Sequence, residues 1–376
     1  MQTIARIVLS TVLVLGATFP TLANAQTQAR NSESFAVFAM TNAADKNEII
    51  SFARDFDGQL HRAGTFMTGG RGSGGTIDPL ESQGSLTISH DRELLFAVNA
   101  GSGDVTVFRV HGPELARIDR VPSGGSGPTA VAQHGNFVFV LNAGAGNNVT
   151  GFYLQSNGKL TRIPNSQAFL SANSVRGGSL AFSSDGRYLL VTEKATNQID
   201  AFQVNPDGTL GSAVVTPSAG PGLFAIVFAP NGTAITSETG NGNGSAVSSY
   251  ALQMDGTLAG LTASLPTAGR ATCWQVVTPD GRFVYTANSA TSTISGFQVG
   301  IDGTLTPIPG TVVATLPADA TDLDIAVSSD GRYLYTLNSR NGTVGILQVE
   351  DDGALNSLGQ VSGLSPAAGF NGLAAN

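Results

Sequence analysis

The chain has 376 residues, a formal net charge of −8 at pH 7 and only 12% charged residues, but 47 glycines. An acidic chain without a Lys/Arg cluster lacks the basic face that nucleic-acid binding needs, so we expect no nucleic-acid partner. Abundant glycine and scarce charge are typical of tight turns and short strands rather than helices. The single cysteine, Cys273, excludes an internal disulfide, and we expect it to be a small buried apolar residue.

The first 25 residues have the features of a signal peptide. Arg6 provides the positive start, residues 7–19 form a short apolar run, and Ala23-Asn24-Ala25 is a small-x-small cleavage site. The apolar run is too short to span a bilayer, so we expect cleavage near Ala25 and no membrane span. The sequence therefore predicts a periplasmic or secreted protein in which residues 26–376 form a single domain.

A short phrase recurs along the rest of the chain: an aromatic or apolar residue at a strand end, a polar turn, and a pattern close to Asp-Gly-x-Leu. Its copies lie at 52–60, 152–160, 202–210, 250–258, 297–305 and 347–355, with a shorter copy at 108–115. A repeat of this length cannot bury its own apolar face and must stack against its neighbours.

One full unit comprises residues 179–193, 198–204, the turn Asp207-Gly208 and a fourth strand. Asp-Gly between alternating apolar residues is a strong hairpin signal. The second strands end at a column of polar residues, namely Asn42, Asn99, Asn142, Glu193, Glu238, Asn288 and Asn338. Four short strands recurring about every 50 residues predict propeller blades. We therefore predict an all-β, seven-bladed β-propeller with four antiparallel strands in each blade.

The ends of the chain predict how the ring closes. The N-terminal unit, residues 35–66, lacks a first strand, and Asn371-Gly-Leu-Ala-Ala375 matches Gly178-Ser-Leu-Ala-Phe182. The C-terminal strand should therefore join the N-terminal blade, which leaves no unprotected sheet edge. The glycine-rich segment 69–83 is expected to be a mobile surface loop, because it does not open a helix as a phosphate-binding loop would.

The segment Phe182-Ser-Ser-Asp-Gly-Arg-Tyr-Leu-Leu-Val191 resembles the lactonase family of seven-bladed propellers, which includes 6-phosphogluconolactonases and carboxymuconate cyclases. The resemblance covers essentially all of residues 26–376, and segments 191–200, 273–281 and 371–375 resemble an exported bacterial subgroup. It implies lactone hydrolysis. Family enzymes commonly carry His and Arg where the first strands begin. The matching positions here carry neither residue type: they are Ser85, Ser179, Ala225, Trp274 and Asp324.

The four histidines are expected to lie away from the mouth of the propeller, the face built by connections between blades. His90 and His134 fall in turns after first strands, and His61 and His111 lie beside turns after third strands. A Ser-His-Asp arrangement or a zinc site at the mouth is therefore excluded by this placement. Without a calcium-loop motif either, the sequence predicts no metal and no cofactor.

Two glutamates interrupt the polar column in adjacent blades, and Glu193 and Glu238 are therefore the candidate catalytic residues, either one acting as base. Arg176 and Arg270 precede first strands and are candidates to hold a carboxylate or an oxyanion. Trp274, Asp322 and Asp324 complete the predicted ligand site. In the alternative, Glu193 is the structural ion-pair partner of Lys194 or Arg176, and Trp274 plugs the channel.

Two functions stay open at this point. The first is an exported, metal-independent lactone hydrolase acting on a sugar-type or carboxylated lactone. The second is a non-catalytic propeller of the periplasm or cell surface that presents loops to a small ligand or a protein partner, since one fold hosts many functions. In either case we expect a monomer.

Overall fold

The computed structural model describes residues 35–172, 175–240 and 244–376, and in these ranges every regular element is a β-strand. The predicted signal peptide, residues 1–25, lies outside the described residues. The strands form seven antiparallel sheets, so the predicted seven-bladed propeller is confirmed. None of the described segments forms a helix long and apolar enough to cross a membrane.

The sheets follow one another along the chain. Blade 1 contains β1 (Ala36–Met40), β2 (Glu48–Arg54), β3 (Leu60–Met67) and the final strand β29 (Leu373–Ala375). Blade 2 contains β4 (Leu86–Ile88), β5 (Leu94–Asn99), β6 (Asp104–His111) and β7 (Glu114–Pro122). Blade 3 contains β8 (Pro128–His134), β9 (Phe137–Asn142), β10 (Asn148–Leu154), β11 (Leu160–Arg162) and β12 (Ala168–Phe169). Its outer strand is split, because β11 and β12 both pair with β10.

The remaining four blades repeat the same plan. Blade 4 contains β13 (Gly177–Phe182), β14 (Tyr188–Glu193), β15 (Gln198–Gln203) and β16 (Val214–Pro217). Blade 5 contains β17 (Leu223–Phe228), β18 (Thr233–Glu238), β19 (Ala246–Leu252) and β20 (Leu258–Pro266). Blade 6 contains β21 (Thr272–Val277), β22 (Phe283–Asn288), β23 (Thr293–Val299) and β24 (Leu305–Thr315). Blade 7 contains β25 (Asp322–Val327), β26 (Tyr333–Asn338), β27 (Thr343–Val349) and β28 (Leu355–Ser362).

Turn chemistry in the repeat explains the hairpins. In blade 4 the Ser183 hydroxyl donates to Asp185 Oδ1 at 2.7 Å and accepts the Tyr188 N–H at 3.0 Å. Gly186 adopts the left-handed φ of +70° that this turn requires. The same arrangement recurs with Thr278 and Asp280 in blade 6 and with Ser328 and Asp330 in blade 7. These three blades therefore share one turn arrangement at the first hairpin.

The ring is closed as predicted. The innermost strands contact one another in cyclic order, β4–β8–β13–β17–β21–β25–β29 and back to β4. β29 pairs with β1 in the register Val37↔Ala375, Phe38↔Ala374 and Ala39↔Leu373. Apolar side chains fill the spaces between blades, so that Phe38 of blade 1 packs with Phe96 of blade 2. Each blade therefore depends on its neighbours for its core.

A chain ending at Ser365 should lose its cooperative stability. It would lack β29 and the buried side chains of Phe370 and Leu373, each worth about 3 kcal/mol, and would expose the edge of β1. We expect a destabilisation of at least about 5 kcal/mol in urea or thermal unfolding. Leu373→Ala, which keeps the strand, should lose about 2–4 kcal/mol. Unchanged unfolding of the truncated chain would contradict closure by this strand.

Candidate functional site

The polar column at the ends of the second strands is a buried layer that joins neighbouring blades. Asn99 donates to Thr106 at 2.9 Å within blade 2 and accepts from Thr68 of the preceding connection at 2.7 Å. Asn288 donates in the same way to Ser295 at 2.8 Å, and it accepts the Thr272 hydroxyl. Buried amides of this kind are stable only because both ends find partners.

The two glutamates of the column are surrounded by donors. Glu193 accepts the N–H and hydroxyl of Ser171 at 2.7 and 2.6 Å and the Thr196 hydroxyl at 2.5 Å. Glu238 accepts the hydroxyls of Ser248 and Ser264 at 2.6 and 2.8 Å. Both oxygens of a carboxylate accept hydrogen bonds, whereas an amide has one acceptor and one donor group. The several hydroxyl and N–H donors around these two positions therefore explain why Glu replaces Asn in these blades.

Both carboxylates are enclosed. Glu193 and Glu238 are 0% and 1% exposed, and a Cβ added to Gly220 would overlap Glu238 Oε2. Neither glutamate lines the mouth cavities described below. The contacts therefore give each a structural role, and their participation in catalysis stays a prediction.

Asp200 lies beside Glu193 inside blade 4. It is 0% exposed, and neither of its oxygens has a hydrogen-bond donor among the described residues. Burial, followed by the adjacent Glu193 carboxyl, raises the pKa of Asp200 well above its usual range. Two carboxyls in one buried site cannot both ionise at low cost, which favours the protonated form of Asp200.

The predicted ion pair of Glu193 with Lys194 or Arg176 is not found, and this alternative is corrected. Both cations instead contact Glu81: Arg176 through its guanidinium and Lys194 through Nζ, the latter at 3.3 Å from Glu81 Oε2. Glu193 is already satisfied by uncharged donors inside its blade. Arg270 lies exposed in the connection before β21, where its N–H bonds to Thr291.

Trp274 is buried and offers no open face. Its side chain is 1% exposed, meets Phe224 edge-on with ring centroids 5.2 Å apart, and donates its Nε1–H to the Ser82 carbonyl at 3.1 Å. Asp324 accepts the N–H groups of Ile325 and Leu373, both at 2.9 Å. Burial raises the pKa of Asp324 to about 8 and that of Asp322 to about 7.

The sequence predicts that segment 69–83, between blades 1 and 2, is a mobile surface loop. This is wrong for its last four residues, 80–83, which cross the mouth. Ser82 donates to the Thr129 carbonyl of blade 3 at 2.9 Å. The Gln83 N–H bonds to Gly178 of blade 4, and its side chain bonds to both main-chain groups of Gln275 in blade 6. The backbone here is therefore fixed by three blades.

The crossing loop divides the mouth into adjoining cavities. The first, of about 380 Å³, is the central cavity, and its lining includes Asp78, Glu81, Arg176, Lys194, Phe224 and Cys273. The second, of about 390 Å³, shares Asp78 and Cys273 and adds Trp274, Asp319, Leu323 and Arg340. A third, of about 270 Å³, includes Leu80, Glu81, Thr129, Arg176 and Lys194. None of the four histidines lines these three cavities.

Asp78 is the carboxylate shared by the first two cavities. Its Oδ1 accepts the Glu81 N–H at 2.9 Å and the Asn371 side-chain amide at 3.1 Å. Burial raises the pKa of Asp78 to about 6, although the Asn371 bond and the Lys194 charge lower it. Its backbone has a left-handed φ of +40°, a conformation that tends to occur at functional sites.

Lys194 is the more buried of the two cations that line the central cavity. Its side chain is 13% exposed, and Nζ lies 5.3 Å from the Phe224 ring centroid. Burial and then the Arg176 charge lower the pKa of Lys194 to about 8. Burial also raises the pKa of the Cys273 thiol, which is therefore uncharged at neutral pH and a poor nucleophile.

Sequence reasoning missed Asp78, Glu81 and the place of Lys194 at the mouth. Asp78 and Glu81 belong to the one connection that does not follow the repeat. Lys194 carried a usable signal, since it is one of only three lysines and directly follows a column residue. Among the residues that the structure describes, no three His, Cys, Asp or Glu side chains group closely enough to hold a metal ion.

A larger groove of about 490 Å³ lies on the opposite face, between turns of blades 4, 5 and 6. Its charged side chains already serve the turns that carry them: Asp185, for example, bonds to Ser183 and pairs with Arg187 at 2.6 Å. The mouth, in contrast, is the face where partly buried charged groups line the cavities.

The fold and the mouth define a seven-bladed propeller with a charged cavity beneath the crossing loop. The sequence signature described as "Lactonase, 7-bladed beta-propeller" matches residues 45–176 and 276–366, and the chain belongs to this family. The comparison with curated proteins finds no match.

Solved structures share the whole architecture. A proposed 6-phosphogluconolactonase from Bacteroides uniformis is 20% identical with a TM-score of 0.71, over 92% of this chain and 100% of that one. The periplasmic gluconolactonase of Pseudomonas aeruginosa is 19% identical with a TM-score of 0.68, over 91% and 98%. A protein from Lactobacillus plantarum is 16% identical with a TM-score of 0.72, over 91% and 98%. At these identities the likeness is one of fold.

The buried acids should make the protein less stable as pH rises. Asp200, Asp322 and Asp324 keep protons in the folded state that the unfolded chain releases near its ordinary pKa of 3.8. Their stabilising effect is complete below that value and is lost as pH rises towards about 8. Asp200→Asn removes one such proton, so its free energy of unfolding should depend less on pH than that of the wild type. Relative to the wild type, the variant should be about 2 kcal/mol better off at pH 8 than at pH 4.

Urea unfolding at several pH values measures this effect. Asp207→Asn is the control, because the pKa of this exposed turn aspartate is lowered by its bonds to Thr209. That variant should show no gain at pH 8. If the free energy of unfolding of Asp200→Asn falls with pH as steeply as that of the wild type, Asp200 is ionised in the folded protein.

Proposed function

We propose that this protein hydrolyses a lactone of the sugar or carboxylated type at the central cavity. The observation that carries the proposal is the placement of a partly desolvated carboxylate, Asp78, and a partly desolvated cation, Lys194, on the walls of one cavity. Membership of the lactonase family supports the same reaction class. Ester hydrolysis needs a base for water and a positive group for the developing oxyanion, and the pair has both properties.

In this proposal Asp78 takes a proton from a water molecule as the water oxygen attacks the lactone carbonyl carbon. The carbonyl oxygen becomes an oxyanion, which the Lys194 ammonium stabilises. When the ring C–O bond breaks, the leaving oxygen takes the proton from Asp78, and a hydroxy acid results. The bond from the Glu81 N–H fixes the Asp78 carboxylate in place, and the bond from the buried Trp274 Nε1–H to the Ser82 carbonyl holds the same loop.

The proposal predicts a bell-shaped pH profile for kcat/KM. Asp78 works as the ionised base, so activity should rise through a pKa of about 6. Lys194 works as the protonated cation, so activity should fall above a pKa of about 8. Hydrolysis of a panel of aldonolactones, starting with D-glucono-1,5-lactone and corrected for the spontaneous reaction, measures the profile.

In that assay, Asp78→Asn should lower kcat/KM by about 10²–10⁴, and Lys194→Arg should keep activity but remove the alkaline limb.

Glu193→Gln in the same assay separates the two candidate bases. If the donors around Glu193 define its role, this variant loses stability and keeps its activity, whereas Asp78→Asn keeps its fold and loses activity. The reverse pattern would overturn the assignment to Asp78 and support the prediction that Glu193 is catalytic. Inactivity of the wild-type chain on every lactone would favour the non-catalytic, ligand-binding alternative.

We also propose that the protein acts after export. The pattern of residues 1–25 supports this proposal, and a sugar lactone offered outside the cytoplasm would suit it. Expression in a Gram-negative host should yield a periplasmic chain that starts at Gln26, as determined by N-terminal sequencing. A replacement of Ala23 and Ala25 by bulky residues should leave the leader attached. A cytosolic chain starting at Met1 would contradict export.

A further inference from the structure

The carboxylate of Glu81, in the crossing loop at the mouth, contacts two cations of blade 4. Glu81 Oε2 pairs with the Arg176 guanidinium, and it lies 3.3 Å from Lys194 Nζ. Lys194 Nζ also donates to the Glu81 carbonyl oxygen. The crossing loop and blade 4 therefore meet through one acid and two bases, at the edge of the central cavity.

Stability alone is a weak explanation for this contact. The Glu81 and Arg176 side chains are 47% and 61% exposed, and ion pairs of such exposure contribute about 0–1 kcal/mol. Both residues have left-handed backbones, with φ of +46° and +55°, a conformation that costs non-glycine residues on the order of 1 kcal/mol. The loop is fixed without the pair, through Ser82, Gln83 and the buried Leu80.

The surroundings show what else the cations can bind. Glu81, Arg176 and Lys194 together line both the central cavity of about 380 Å³ and the third cavity of about 270 Å³. A molecule in either cavity meets the same two positive groups, and the Glu81 carboxylate contacts both of them. Because this side chain is half exposed, it can turn into solvent while its backbone stays in place.

We propose that Arg176 and Lys194 form a binding site for the carboxylate of a small hydroxy acid, and that Glu81 occupies this site when no ligand is present. The Glu81 carboxylate stands in for the carboxylate that lactone hydrolysis creates. The identity of the ligand as a reaction product rests on the proposed function. The existence of a carboxylate site does not, because it follows from the two cations and their present occupant.

The arrangement gives Glu81 a task in turnover. The oxyanion that forms beside Lys194 becomes part of the product carboxylate, which the Arg176 guanidinium can then hold in bidentate fashion. A product held by two cations leaves slowly unless another anion replaces it. Glu81, tethered next to the site, competes at a high effective concentration and so promotes release.

Isothermal titration calorimetry with sodium D-gluconate tests the site in the wild type and in Glu81→Gln. Removal of the competing charge should lower the Kd for gluconate at least tenfold. Arg176→Gln should raise the Kd at least tenfold in either background. Glu93→Gln is the matched control, because Glu93 is an exposed acid 3.7 Å from Arg109 in blade 2, away from the mouth, and its Kd should equal that of the wild type.

Glu81→Ala is measured beside Glu81→Gln, because a glutamine amide can still bond to the Arg176 site. Two results would overturn the proposal: an unchanged or higher Kd in both variants with intact thermal unfolding transitions, or tighter binding of inorganic phosphate than of gluconate. Since gluconate is not consumed, binding is measured apart from turnover. Tighter gluconate binding by Glu81→Gln in a protein that hydrolyses no lactone would refute the proposed function alone. Lactone turnover with an unaffected gluconate Kd would refute the carboxylate site alone.

Discussion

The pairing of β29 with β1 is the constraint on which the rest of the structure depends. Every hydrophobic cluster of the ring draws on more than one blade, as where Phe52 of blade 1 packs with Tyr335 of blade 7. A gap at this one sheet would expose the apolar sides of two blades together. Closure also fixes the radius at which seven inner strands surround the axis, and so the distance between groups that face each other across the mouth.

The fold was predictable because its signals are local and repeated. Turn residues such as Asp207-Gly208 and strand ends such as Asn99 and Asn288 recur at a regular spacing, and each copy confirms the others. Even closure, a contact between residues more than 330 positions apart, could be inferred because the tail matches a strand that the first blade lacks. Redundancy, rather than the strength of any single signal, made the prediction possible.

The mouth was less predictable because its contacts occur only once. The bond from Trp274 to Ser82 joins residues 192 positions apart, and no second copy of it exists to show a pattern. The same applies to Glu81, whose partners lie in blade 4. Glu in place of Asn at two column positions suggested a catalytic role. The structure offers another reason: the hydroxyls of Ser171 and Ser248 donate to these side chains, and a carboxylate accepts such bonds through both oxygens, whereas an amide has one acceptor.

The division of labour between blades and the crossing loop has an evolutionary consequence. The loop brings Asp78 and Glu81 to the axis, whereas the blades provide the cations and the apolar walls. Because 69–83 is one connection outside the repeat, insertions or replacements there would remodel the acidic half of the cavity and leave the blade hairpins unaltered. Paralogues could then diverge in substrate by exchanging a single surface segment, and the seven-fold scaffold would be inherited unchanged.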